Sequence, residues 1–201
     1  MYKIVGLPQT RTIRVIWMME ELGQAYEIIP LKPGSDEIHA YNPTGKIPVL
    51  MVEETALIDS VAIVQYLADR HGQLTATPGT LARAQQDSWC QFAMDDIELP
   101  LWVNAKHSYI LPEKLRSETA CQAAHYEFQN ALIAFGERLG ERSFLMGDEF
   151  SVPDLLMGHC ANWAEKGAGW EIPAGSVKNY FDRVRDRPAL KRAEAVRDQY
   201  I

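Results

Sequence analysis

The chain has 201 residues, of which 47% are hydrophobic and 23% are charged, and its formal net charge is −7. This composition is typical of a globular protein of one domain or two small ones and excludes a disordered chain. The negative net charge disfavours nucleic acid and anionic lipid as partners, because both are polyanions that bind positively charged surfaces. The longest apolar run, residues 15–19, is too short for a membrane span, and no signal-peptide pattern begins the chain. We therefore expect a cytoplasmic protein that contacts no membrane.

The cysteines and histidines follow no metal-site or disulfide pattern. Cys90, Cys121 and Cys160 are odd in number and widely spaced, which predicts free thiols on helix faces. The five histidines form no HxxxH pair, so we predict no metal. Because no cysteine precedes Cys90, the sequence disfavours thiol-disulfide exchange chemistry near the first helix.

The first 71 residues alternate strand-like and helix-like stretches in the order β-α-β, then β-β-α. Short β-prone runs predict four strands, and apolar positions at helical spacing predict two helices that stop at Gly23 and Gly72. Asp59 is expected to cap the second helix. The predicted strands cover residues 2–5, 26–31, 48–52 and 55–58, and the predicted helices cover residues 12–22 and 59–72.

From about residue 81 onward the pattern is helical throughout. Residues 73–80 lack a periodic apolar pattern and include the turn dipeptide Pro78-Gly79, which favours a linker there. We expect domains at residues 1–73 and 81–201, joined by a linker at residues 74–80. The predicted helices cover residues 81–106, 113–139, 152–166, 176–186 and 189–199.

Three local motifs carry more specific information. Ser151 and Asp154 have the spacing of a capping box, which nucleates a helix in proteins of any function. Residues 42–50 form a turn that leads into Pro48 at a strand start, where base rates of about 5–6% cis alone favour a trans bond. Asp59 and Ser60 open a helix, where unpaired amides and the helix dipole favour an anion, although plain capping is the alternative.

Together these features resemble the glutathione S-transferase superfamily over essentially the whole chain. The resemblance implies an α/β plus all-α protein, in which a thioredoxin-like N-terminal domain is followed by an all-helical C-terminal domain. It also implies a cytosolic, bacterial-type enzyme of the Ser/Thr class. The matching segments are residues 7–15 (Leu-Pro-Gln-Thr-Arg-Thr-Ile-Arg-Val), residues 20–23 (Glu-Glu-Leu-Gly), residues 42–50, residues 59–63 and the Ser151/Asp154 box.

The resemblance further implies glutathione as a co-substrate, no metal, and a role for each motif. It makes Pro48 cis, against the trans base rate, so that the backbone of Ile47 faces the cysteinyl part of glutathione. It gives the γ-glutamyl end to Asp59 and Ser60, with Asp59 a shorter arm than the Glu or Gln commoner in the family. Lys46 matches a position that often pairs with the glycine carboxylate; a solvated turn lysine is the alternative.

The chemistry requires a thiolate, because a thiol is a poor nucleophile and a free cysteine thiol has a pKa of about 8.5. A hydroxyl at the start of the first helix can donate to the sulfur anion, with the helix dipole assisting. Thr10 best matches the position of the family's Ser or Cys, and Thr12 is the second candidate. A backbone amide of residues 9–12 remains the third possibility.

The hydrophobic electrophile is expected to contact an aromatic and apolar cluster of the helical domain, although such clusters often belong to the core. The residues proposed for this pocket are Trp102, His107, Tyr109, Ile110, Leu111 and Trp163, with Trp170 in the same wall as Trp163.

The favoured function is a detoxifying glutathione transferase whose thiolate attacks a hydrophobic electrophile or a peroxide. The alternatives are a non-catalytic adaptor on the same fold and a glutathione-dependent isomerase or dehalogenase. Retention of Lys46, Pro48 and Ser60 favours the enzyme over the adaptor. A homodimer is also favoured by the family's usual assembly and by three apolar residues near the start of the second domain's first helix, Trp89, Phe92 and Met94.

Overall fold

The computed structural model describes residues 1–200, which divide into two compact units. Unit 1 comprises Met1–Thr75 together with the segment from Asp186 onward, and unit 2 comprises Ala76–Arg185. The expected order, a thioredoxin-like domain followed by a helical domain, is confirmed. The compact helical unit ends at Arg185, however, because the last helix groups with unit 1.

Unit 1 contains a four-stranded mixed sheet in the order β2-β1-β3-β4. The strands are β1 (Tyr2–Val5), β2 (Tyr26–Ile29), β3 (Val49–Val52) and β4 (Thr55–Ile58). β1 and β2 are parallel, and the other two pairs are antiparallel. β2 and β3 are shorter than predicted, since Pro30 and Pro48 have no amide to donate to the ladder.

The two predicted helices of unit 1 are confirmed as α1 (Thr12–Leu22) and α2 (Ser60–His71). Both end at a glycine in the left-handed region, Gly23 and Gly72, each with φ 62°. Helix α1 provides the crossover that a parallel β1-β2 pair requires. A short 3-10 turn at Glu37–Ala40 was not predicted; its Ile38 is buried against Val5 and Val49.

Unit 2 is entirely helical and contains α3 (Leu81–Phe92), α4 (Leu99–Ala105), α5 (Glu118–Leu139), α6 (Val152–Asn162) and α7 (Ser176–Arg185). The predicted helices at 81–106 and 152–166 are present, but π-helical segments at Ala93–Glu98, Lys106–Ile110 and Trp163–Ala168 interrupt or extend them. Where a helix was predicted from residue 113, a short 3-10 turn at Glu113–Leu115 comes first, and α5 begins at Glu118, where the Ser117 hydroxyl accepts the amide of Ala120 and caps it.

An aromatic cluster forms the core of unit 2 around Phe135. Its ring stacks on Phe181 at 5.5 Å between centroids and lies 5.2 Å from Tyr180 and 5.9 Å from Trp89. Trp89 is only 3% exposed. Among residues 1–200, no helix combines the length and the apolar composition needed to cross a bilayer.

The last helix, α8 (Pro188–Asp198), packs on α1 within unit 1. Arg187, just before α8, donates to both oxygens of Glu21 at 2.6 and 2.7 Å, and the same carboxylate accepts from the indole of Trp17 at 2.9 Å. The Glu21 side chain is 6% exposed, so this bidentate pair is shielded from solvent. The contact joins residues 166 positions apart, and helix periodicity alone gave no sign of it.

Candidate active site

Three loops of unit 1 meet at one end of its sheet. Val5, Val49 and Ile58 lie side by side on β1, β3 and β4 in the hydrogen-bonded register. Since β3 is antiparallel to both neighbours, the residues after Val5 and Ile58 emerge at the same end as the residues before Val49. The turn into α1, the Ile47-Pro48 bond and the Asp59-Ser60 pair therefore converge.

The first of these loops approaches the second very closely at Gly6. This residue has φ +141°, and a Cβ there would lie 2.5 Å from the Thr12 hydroxyl oxygen and 2.9 Å from the Ile47 Cβ. Only glycine fits both the conformation and the space. Gly6 thus holds the start of α1 and the residue before Pro48 against the end of β1.

The start of α2 carries a buried hydroxyl and an exposed carboxylate. Ser60 is 4% exposed, and its hydroxyl oxygen accepts from the Arg14 guanidinium at 3.2 Å. Asp59 occupies the N-cap position with φ 75°, but its carboxylate makes no capping hydrogen bond, contrary to the sequence prediction. The first intrahelical bond runs from the Ile63 amide to Asp59, so the three preceding amides of α2 lie before the hydrogen-bonded turns.

Arg14 is a site residue that the motif analysis did not single out. It projects from α1, is 1% exposed, and donates to Ser60 at the start of the other helix. A buried guanidinium, added to the positive end of the α2 dipole, favours negative charge at this point. The only sequence signal was an arginine in an otherwise apolar stretch of α1.

The loop before β3 has the geometry that the family resemblance implied. The Ile47-Pro48 bond is cis, which confirms the prediction from the resemblance and overrides the base rate. The buried Asn42 braces this loop: its side-chain nitrogen donates to the Lys46 carbonyl at 2.9 Å, and its oxygen accepts the Thr44 amide at 3.0 Å. Lys46 itself is exposed.

The two threonine candidates share one hydrogen-bond chain at the start of α1. The Thr10 hydroxyl donates to the Leu7 carbonyl at 2.7 Å, and its oxygen lies 3.0 Å from the Thr12 hydroxyl oxygen. Since a hydroxyl has one proton, Thr12 must be the donor within that pair. Thr12 is fully buried and Thr10 only half-buried, so Thr10 is the more accessible of the two.

The residues proposed to contact the electrophile lie in two parts of the sequence of unit 2. Five of them lie between Trp102 and Leu111, and Trp163 begins the π-helical segment that follows α6. The Trp102 and Trp163 rings meet edge to face with centroids 6.4 Å apart, so the structure brings these two together. Tyr109 and Ile110 lie on the Lys106–Ile110 segment and are 61% and 47% exposed. His107 on the same segment and Leu111 after it are half-buried.

Trp170, which the sequence analysis placed in the same wall as Trp163, contacts residues of α5. Its side chain is buried, and its ring lies 5.1 Å from Phe128 and 4.9 Å from His125 between centroids. It packs against α5 and contributes to the helix core.

The cysteines form no disulfide within residues 1–200. Burial raises the pKa of the Cys90 thiol to about 12, which leaves almost no thiolate at neutral pH. Cys160 is also buried, whereas Cys121 is partly exposed.

We expect Cys121 to be alkylated first at pH 8, while Cys90 and Cys160 become reactive only when the protein is unfolded. Peptide mapping after timed iodoacetamide treatment measures this order. Rapid labelling of Cys90 in the folded protein would contradict the burial described above.

Comparison with known proteins finds a matching family model, similar sequences and similar solved structures. Residues 11–75 match the family model described as "Glutathione S-transferase, N-terminal domain". The glutathione transferase GST 23 of Zea mays is 28% identical over 99% of this chain and 91% of its own. The theta class glutathione S-transferase of Xanthomonas axonopodis pv. citri, solved with glutathione bound, is 25% identical with a TM-score of 0.81, covering 96% of each chain. The glutathione transferase URE2P6 of Phanerochaete chrysosporium, solved with oxidized glutathione, has a TM-score of 0.85 at 22% identity, covering 100% of this chain and 97% of the other.

Proposed function

We propose that this chain, which belongs to the glutathione S-transferase superfamily, binds glutathione on unit 1 and activates its thiol for attack on a hydrophobic electrophile. The observation that carries the proposal is the convergence of three loops at one end of the sheet: the start of α1, the cis Ile47-Pro48 bond and the start of α2. Each loop offers groups suited to one part of the tripeptide.

The γ-glutamyl end fits the start of α2. Its carboxylate would accept hydrogen bonds from the first amides of the helix and from the Ser60 hydroxyl. Because that hydroxyl accepts from Arg14, its own proton is directed away from the guanidinium and is available to an anion. The exposed Asp59 carboxylate has the charge to attract the α-amino group of the γ-glutamyl residue.

The rest of the tripeptide follows the loop before β3. The Ile47 backbone would pair with the cysteinyl part, beside the cis Pro48. The exposed Lys46 ammonium has the charge to meet the glycine carboxylate, and the Asn42 brace fixes the backbone from which Lys46 projects. The cysteinyl sulfur would then lie toward the start of α1.

The chemical step is a nucleophilic substitution or addition. The glutathione thiol loses its proton to solvent, and the thiolate forms a carbon–sulfur bond as the electrophile releases its leaving group or opens its ring. The reaction needs no metal. A hydroxyl that donates to the sulfur anion lowers the thiol pKa and so raises the thiolate population at neutral pH.

We expect Thr10→Val to raise the pKa of bound glutathione by about 1 to 2 units. A hydrogen bond to an anion contributes about 1.5–3 kcal/mol, and each pKa unit corresponds to 1.36 kcal/mol. To make this bond, the Thr10 hydroxyl must turn from the Leu7 carbonyl toward the sulfur. Thiolate absorbance of the glutathione complex, recorded against pH, measures the shift.

Thr10→Ser is the matched control, because it keeps the hydroxyl and should restore the wild-type titration. Thr12→Val removes the buried neighbour and should shift the curve less. If the titration moves only in the Thr12 variant, Thr12 is the donor. If neither moves it, a backbone amide of residues 9–12 holds the thiolate.

For the electrophile, we propose contacts with the partly exposed Trp102 and Trp163 and with the exposed Tyr109 and Ile110, alongside His107 and Leu111. Apolar side chains that remain accessible in a folded protein are suited to an apolar ligand. Substitution of Tyr109 by alanine is expected to change the preference among electrophiles without changing glutathione affinity.

Retention on immobilised glutathione, followed by a panel of aryl halide, epoxide, hydroperoxide and maleyl substrates, tests the proposal. Retention with turnover of at least one substrate is the expected result, and the substrate class defines the reaction. Failure of both would favour a non-catalytic adaptor on the same fold.

We also expect a homodimer, by analogy with the family's usual assembly. Trp89, which the sequence analysis placed near the partner subunit, is 3% exposed in this chain and lies beneath the Arg138 guanidinium, which is 3.7 Å from its ring centroid. Phe92 is half-buried beside it. Sedimentation equilibrium should give twice the chain mass of 22.7 kDa; a single 22.7 kDa species at micromolar concentration would rule the dimer out.

A further inference from the structure

Three metal-binding side chains of different chemistry meet inside unit 2. Glu98, at the end of the π-helical segment before α4, approaches His159 and Cys160 on α6. One carboxylate oxygen, one imidazole nitrogen and one thiol sulfur lie within 4.8 Å of one another. Glu98 is 6% exposed and Cys160 fully buried, while His159 is half-buried.

We propose that Glu98, His159 and Cys160 form a binding site for a zinc-type divalent cation. Zinc takes sulfur, imidazole nitrogen and carboxylate oxygen as ligands, and a tetrahedral site needs ligand atoms about 3.4–3.6 Å apart. The Cys160 sulfur lies 3.9 Å from the Glu98 oxygen and the three donor atoms lie within 4.8 Å of one another, so the side chains would have to draw closer together to bind one cation. Water would take the fourth position, on the half-buried His159 side.

The cation would add metal bonds to a cluster that a thiol contact already joins. The Cys160 thiol, a poor hydrogen-bond donor, contacts the Glu98 carboxylate at 3.9 Å. Binding would release the thiol proton to solvent and join the Glu98 segment to α6 through metal bonds. The site is thus structural and lies outside the residues assigned to glutathione.

The spacing of histidines and cysteines in the sequence did not single out this set, for a physical reason. Glu98 lies 62 positions before Cys160, and the adjacent His159-Cys160 pair fits no standard zinc spacing. The fold alone brings the three donors together.

Titration of the purified protein with Co²⁺, a spectroscopic substitute for Zn²⁺, tests the proposal. We expect one Co²⁺ per chain, with the visible bands of tetrahedral cobalt and a near-ultraviolet thiolate-to-cobalt band that Zn²⁺ displaces. Cys160→Ser should abolish the charge-transfer band, and His159→Gln should weaken binding at least tenfold. Zn²⁺ should raise the melting temperature of the wild type and leave that of His159→Gln unchanged.

Cys121→Ser and His125→Gln are the matched controls and should leave both readouts unchanged. His159 is half-buried, so its variant remains informative even where Cys160→Ser fails to fold. The proposal is overturned by absence of binding, by an octahedral spectrum without the thiolate band, or by a His159→Gln variant that binds Co²⁺ within tenfold of the wild-type affinity. Each result is independent of glutathione binding.

Discussion

Asp154→Ala is expected to lower the free energy of unfolding of unit 2 by roughly 3–5 kcal/mol, because it breaks a buried hydrogen-bond network. The Asp154 side chain is fully buried. One of its oxygens accepts from the Leu145 amide at 2.9 Å and the Tyr180 hydroxyl at 2.8 Å. The other accepts from the amide and the hydroxyl of Ser151, both at 2.9 Å.

The large expected effect follows from what the substitution leaves behind. Burial raises the pKa of the Asp154 carboxyl, and its four hydrogen bonds act in the opposite direction and offset part of the cost of burying the charge. Alanine removes the acceptor and leaves four donors inside the protein without it. An unsatisfied buried donor costs about 1–3 kcal/mol, which exceeds the net value of a satisfied bond.

Urea denaturation followed by circular dichroism measures the effect. Asp148→Ala removes an exposed carboxylate from the loop that precedes α6 and should change the stability by less than about 0.5 kcal/mol. Tyr180→Phe removes one donor and should fall between the two variants. An Asp154→Ala protein within about 1 kcal/mol of the wild type would show that the network contributes little.

The capping box illustrates what the sequence could predict. The Ser151/Asp154 spacing identified a helix start correctly, since that pairing is local. The bonds to Leu145 and Tyr180 could not be predicted, because they join α6 to a preceding loop and to α7 through tertiary packing. Without those partners the same motif would be a modest helix cap on the surface.

In the candidate site, too, local features could be predicted from the sequence and tertiary contacts could not. The strand and helix order, and the loops that carry Pro48 and Ser60, followed from periodicity and turn residues. The cis bond did not, since local statistics favour trans, and only the resemblance implied it. Arg14 was missed because its role depends on the packing of α1 against α2, which no motif records. The expected Asp59 cap was wrong: with φ 75° Asp59 lies outside the extended backbone region that N-cap residues adopt, and its carboxylate accepts no capping hydrogen bond.

Ser60→Ala is expected to weaken glutathione binding about 10- to 150-fold. The hydroxyl would donate to the γ-glutamyl carboxylate, and a hydrogen bond to a charged group contributes about 1.5–3 kcal/mol. The substitution also leaves the buried Arg14 guanidinium without the oxygen that it contacts at 3.2 Å. Isothermal titration calorimetry of the folded variant measures the affinity directly.

Ser117→Ala is the matched control for Ser60→Ala. It removes a hydroxyl that caps a helix in unit 2, where the Ser117 oxygen accepts the Ala120 amide at 3.2 Å. Losing such a cap costs about 1 kcal/mol of stability, so a general loss of stability should appear in both variants and a loss of affinity only in Ser60→Ala. Equal affinity in the wild type and in a folded Ser60→Ala protein would remove the start of α2 from the proposed glutathione site, and the anion would then have to be sought at the start of α1.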